Sequence, residues 1–211
     1  MLGLTAVVIA FLSAGFVAMS VLREGSREQT AMVFASMGMP PAIYVLLAYI
    51  LGMNTIPEPY LGISLLFFSL GVLGVNVGRV AIEPIIVRII EKSPDDRGIG
   101  MVLNAFLETG AIFLLLLYIL GYMAFSQNDW SGIPHSPDAF GIGMEIMGIA
   151  VFIGSVLIGY VIKMHLEKIL SDEVKFRDEF KKISLHVGFA QTILILGFML
   201  SLLTYLGSFS I

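Results

Sequence analysis

Eleven of the twelve Lys and Arg residues lie in three stretches, and long apolar segments separate those stretches. Arg23 and Arg27 form the first group, and Arg88, Lys92 and Arg97 the second. Lys163, Lys168, Lys175, Arg177, Lys181 and Lys182 form the third. The two connections between these groups, around Pro57–Pro59 and over Ser126–Asp138, contain neither residue type. Loops rich in Lys and Arg stay cytoplasmic during insertion. The pattern therefore predicts an integral, multi-pass membrane protein with cytoplasmic basic loops, an even number of crossings and both termini outside. The twelfth basic residue, Arg79, falls within or at the edge of a span.

Composition points the same way. Charged residues make up 13% of the chain, against about 25% in an ordinary soluble domain, and mean hydropathy is +0.93. Six spans of roughly 20 residues each leave little of the 211 residues for a further large domain. The formal net charge of −4 says little about partners, because the charges are segregated by side, and nothing points to nucleic acid. The absence of cysteine excludes disulfides, thiolate nucleophiles and Cys-ligated metals. The first apolar segment lacks a basic lead-in, so it is expected to stay as a helix and not to be cleaved.

Six helices are predicted, at about 2–22, 30–53, 60–92, 98–125, 139–168 and 180–208, forming an all-α membrane protein of three tandem helical hairpins. The third and fifth are long enough to project past the membrane, where their charges lie. Residues 1–56 form the first hairpin, 57–125 the second and 139–211 the third, with 126–138 an ordered external loop. A repeat supports this division. Shifted by 69 residues, Met32–Met53 overlays Met101–Tyr122 with ten matches in 22 positions, including Tyr-Ile-Leu-Gly at 49–52 and 118–121. A weaker shift of 83 places Phe189-Ala190-Gln191-Thr192 on Phe106-Leu107-Glu108-Thr109.

Glu108 is the main candidate for chemistry. A charge at the bilayer centre costs roughly 2.5–3.5 kcal/mol on insertion scales. A carboxyl there is therefore neutral, paired or liganding a cation. One reading is a site that takes up and releases H⁺ or Na⁺; the other is a buried carboxyl hydrogen-bonding between helices. Asn104 lies one turn earlier on the same face, and Thr109 follows directly. Carboxylate, amide and hydroxyl together suit a hard cation, and the same groups suit a protonated carboxyl.

Arg79 is 15 residues before Pro94 and Glu108 is 14 after it, so a hairpin turning at Pro94 brings them to similar depth. They could form an interhelical ion pair. Glu83, one turn after Arg79, offers a competing pair, and snorkelling of Arg79 to an interface is a third arrangement. Gln191 occupies the Glu108 position of the third repeat and reads as an interhelical hydrogen bonder or a site ligand; Met39 occupies it in the first. His135, His165 and His186 are too scattered in sequence to suggest a metal triad. Glu145 is expected at an interface, and 168–182 reads as a solvated helical extension. No Ser/His/Asp set or phosphate loop is present, so the chain is not expected to be catalytic alone.

Ser93 to Phe113 reads Ser-Pro-Asp-Asp-Arg-Gly-Ile-Gly-Met-Val-Leu-Asn-Ala-Phe-Leu-Glu-Thr-Gly-Ala-Ile-Phe. This stretch resembles the proteolipid, or rotor-ring, subunits of V/A-type rotary ATPases, which carry a polar cytoplasmic loop, nearby glycines and a Glu-Thr-x-Ala-Ile core. The resemblance places the ion-carrying glutamate on Glu108. It makes the first hairpin a copy without the carboxylate, in which Tyr44 corresponds to a tyrosine that helps close the site. Where the family supplies Thr-Gln ligands this chain has Pro40 and Pro41, and a family glutamine falls on or near Arg79.

Two functions follow, and a small channel or transporter built from hairpin repeats is a third reading. In the first, several copies form a ring in lipid. Glu108 carries one H⁺ or Na⁺ per subunit, and stator and central-stalk subunits are the partners, with no cofactor beyond the transported ion. In the second, the chain is a non-rotary structural or accessory subunit in which Arg79 and Glu108 are locked as a pair.

Overall fold

The computed structural model describes residues 1–23, 28–131, 134–172 and 175–207, which form helices and no strand. The helices are α1 (Leu2–Leu22), α2 (Glu28–Ser36), α3 (Met39–Gly52), α4 (Glu58–Lys92), α5 (Arg97–Gln127), α6 (Pro137–Asp172) and α7 (Phe176–Tyr205), with a short 3₁₀ turn at Pro94–Asp96. Counting α2 and α3 together, six helical segments are long and apolar enough to cross a membrane, as expected of a multi-pass integral protein. The 35 residues of α4 and 36 of α6 extend roughly 50 Å at 1.5 Å per residue, well beyond a hydrocarbon core of about 30 Å.

The segment expected as one helix over 30–53 is broken between Ser36 and Met39. Pro40 and Pro41 are the cause. Neither has an N–H, so the carbonyls of Ser36 and Met37 lose their i+4 donors, and proline disfavours helical geometry in the residue before it. Both prolines instead occupy the first turn of α3, where no donor is needed. The Met37 carbonyl is thereby left for another partner.

The helices form two rows. In the first, α1 and α6 both pack on α4 and not substantially on each other. Gly3 lies beside Leu65 and Gly62 beside Leu2, so α1 runs parallel to α4; Gly71 against Val151 and Gly78 against Ser155 set α6 parallel as well. The second row, α3, α5 and α7, runs back: Gly38 sits by Val17, Gly100 by Ile86 and Gly154 by Leu194. The described Lys and Arg residues, Arg79 apart, consequently gather toward one end of the bundle.

Small residues let the first row close up. A Cβ on Gly159 would lie 2.5 Å from the Gly78 Cα, and one on Gly74 would meet the Phe152 backbone. Without a hydrophobic drive between helices in lipid, such close van der Waals packing is the main attraction. Tyrosine hydroxyls link the second row: Tyr118 donates to the Ala48 carbonyl (2.6 Å) and Tyr205 to the Leu117 carbonyl (3.1 Å). Large apolar side chains such as Phe16, Leu12, Phe189 and Met199 face outward, as a lipid-facing surface requires. In the connection after α5, the Ser131 N–H and hydroxyl both donate to Asp129, holding its carboxyl below the usual range.

Candidate functional site

α4 carries a buried polar line on one face: Asn76, Arg79 and Glu83, each at most 1% exposed. The spacing of three then four residues keeps them on one side of the helix. Asn76 donates to the Ser13 hydroxyl of α1 at 2.8 Å. Arg79 points toward the second row, and full burial excludes snorkelling to an interface.

Three elements receive the guanidinium. Nη2 donates to Glu108 Oε2 on α5 at 3.1 Å. Nη1 donates to the Met37 carbonyl, the acceptor that Pro41 leaves free. Nε lies 3.8 Å from Glu83 Oε1, one turn along α4, and makes no hydrogen bond. The other oxygen of Glu108 is also occupied, since Tyr44 of α3 donates to Oε1 at 2.8 Å. Both Glu108 oxygens therefore have a donor, while its side chain keeps 21% exposure.

The site thus brings together Glu108, Arg79, Tyr44 and Glu83. It does not bring Asn104 and Thr109 onto the carboxylate. Asn104 Nδ2 bonds the Gly100 carbonyl (3.3 Å) and Thr109 Oγ1 the Ala105 carbonyl (3.1 Å), both within α5. Lying on the same helix as Glu108 did not make them its ligands, because each side chain instead turns back to the carbonyl one turn earlier on its own helix. Gln191 reaches α5 at the Phe106 carbonyl, 3.5 Å away.

The Met37 carbonyl is the functional group that residue-type reasoning missed. The signal was present: a proline four residues on always orphans a helical carbonyl. A second grouping arises from antiparallel packing of α6 and α7. His165 Nδ1 lies 2.8 Å from Glu179 Oε1, and His165 Nε2 lies 2.8 Å from His186 Nδ1, while Lys182 donates to Glu179 at 2.9 Å. His165 and His186, far apart in sequence, are thus neighbours, yet no set of three His, Asp or Glu residues among the described ones is arranged to hold a metal. Glu145 is exposed. His135 packs by the end of α7, its Nδ1 2.9 Å from the Tyr205 carbonyl.

Chemically, the arrangement is a buried arginine with its donors directed to a carboxylate and a backbone carbonyl. Removing two charges from water costs several kcal/mol per ion, and good geometry with further hydrogen bonds is needed to offset it. Here Tyr44 and Met37 supply those bonds. No family model matches the chain, and no curated protein or solved structure is significantly similar to it.

Proposed function

We propose that the chain is a non-rotary structural or accessory subunit of a membrane complex, built on the V/A-type proteolipid plan. Its three tandem hairpins (1–56, 57–125 and 139–211) all point the same way, with basic loops cytoplasmic and termini outside. The observation that carries this reading is the 3.1 Å Arg79–Glu108 pair, closed on its far side by Tyr44. A rotor carboxylate must exchange its ion at every turn. Glu108 has a permanent counter-ion in its own chain, and both of its oxygens are taken. Freeing it would leave the fully buried Arg79 relying on Glu83, 3.8 Å away and not hydrogen-bonded to it, which is unfavourable.

The rotor-ring reading has support of its own. The α1–α4–α6 row is open at both edges, as a ring segment would be, and Tyr44 bonds the carboxylate that the resemblance marks as ion-carrying. On that reading, copies of the chain, a stator and a central stalk are the partners, and Glu108 carries H⁺ or Na⁺.

Carbodiimide labelling in the native membrane, read by peptide mass, separates the two. Carbodiimide attacks protonated carboxyls. An ionised, paired Glu108 should stay unmodified in the wild type and become reactive in Arg79→Gln, which keeps a donor for Met37 but loses the charge. Modification of wild-type Glu108 that Na⁺ or high pH suppresses would overturn the non-rotary reading in favour of the ring.

A further inference from the structure

The buried site holds two carboxyls and one guanidinium. With Glu83 and Glu108 both ionised it would carry one uncompensated negative charge inside the bundle. A buried charge without a partner is costly enough that such a group takes a proton instead. The two carboxyls are not equivalent. Glu108 accepts from Tyr44 and Arg79, one donor on each oxygen. Glu83 is fully buried and neither of its oxygens has a hydrogen-bond partner. Hydrogen bonds to the charged form favour ionisation, and only Glu108 receives them.

We propose that Glu83 is a proton-binding site, holding one proton opposite the Arg79–Glu108 pair. This rests on the fixed pair proposed above. An acceptor at the same depth supports it. Asn104 spends its amide N–H on its own helix, and its buried Oδ1 has no partner. Gly100 packs on Ile86 and Gly78 on Leu107, so the register of α4 against α5 sets Asn104 at the depth of Glu83. An ionised Glu83 would add another acceptor at that depth; a protonated one supplies the missing donor.

A metal cation is disfavoured in the same place. The guanidinium Nε stands 3.8 Å from the carboxyl, and its positive charge repels a second cation there. Arg88 on α4 and Arg97 on α5 are exposed, whereas Glu83 is fully buried. α1 has no ionisable side chain. On α6, Lys163 pairs with exposed Glu167, and His165 turns to Glu179 of α7. From α3 only Tyr44 faces the site, through Glu108.

The proton and the pair are coupled, because the three groups share one charge balance. In Glu108→Gln, Arg79 keeps Glu83 as its counter-ion, so Glu83 must release its proton. In Arg79→Gln both carboxyls must take one.

Infrared difference spectroscopy of the full chain in lipid bilayers, titrated with pH, reads protonated carboxyls directly. One buried carboxylic-acid carbonyl band is expected. It should vanish in Glu83→Gln and in Glu108→Gln, and double in Arg79→Gln. Asn104→Leu should shift it, and Tyr44→Phe should leave it in place. Glu83→Gln, which mimics the protonated acid, should leave the unfolding midpoint unchanged, so loss of the band there cannot be blamed on misfolding. A wild-type chain with no such band would overturn the Glu83 site and leave the pair standing. A band that Tyr44→Phe moves and Asn104→Leu does not would put the proton on Glu108 and overturn both. Abolition of the band by Na⁺ would replace the proton with a metal cation and sink the assignment.

Discussion

Arg79→Leu should destabilise the bundle by about 3–5 kcal/mol, the usual penalty for removing one partner of a buried ion pair. The loss has three parts. Glu108 loses its counter-ion, the Met37 carbonyl loses the donor that Pro41 made necessary, and Glu83 loses the cation one turn away from it. Equilibrium unfolding in mild detergent measures it. The double variant Arg79→Leu/Glu108→Leu should recover much of the loss, since a buried pair replaced by apolar residues of similar size is often close to neutral. A single-variant cost under about 1 kcal/mol, typical of exposed pairs, would mean that water reaches the guanidinium.

The seam between α4 and α6 should be equally intolerant of bulk. A Cβ on Gly74 would run into the Phe152 backbone, and no rotamer change relieves a backbone contact. Gly74→Val should therefore cost about 1–3 kcal/mol or more through overpacking and push the two helices apart. Gly15→Val is the control, because nothing lies within 4 Å of the added carbon. It should stay within about 0.5 kcal/mol of the wild type, as surface substitutions do. Thermal unfolding of both variants in the same detergent gives the comparison. Equal destabilisation of the two would show that helix propensity, and not packing, sets the cost.

The spans were legible because a run of about twenty apolar residues is a local property of the sequence. Helix ends came within a few residues: 60–92 was expected and Glu58–Lys92 is found, while 139–168 lengthens to Pro137–Asp172. The break near Met37 was missed, although Pro40 and Pro41 stand in plain view, because hydropathy is blind to a lost N–H. Equal distance from Pro94 brought Arg79 and Glu108 together as one option; it could not choose among partners, since the choice depends on rotation of α4 and on a backbone carbonyl from α2–α3. Asn104 and Thr109 show the opposite limit. Residue type and helical spacing name a face, but not whether its side chains look across to a neighbour or back to their own carbonyls. The contact between His165 and His186 depended on the register of α6 against α7, which no local pattern encodes.

A double-mutant cycle on Arg79→Gln and Glu108→Gln, run in the Glu83→Gln background so that no third charge intervenes, tests the central claim most directly. A fixed, buried pair predicts a coupling free energy of about 1–3 kcal/mol, in the range of residues in direct contact, with little dependence on salt. Additive effects, with coupling near zero, would contradict the locked pair and return Glu108 to the role of an exchanging carboxyl.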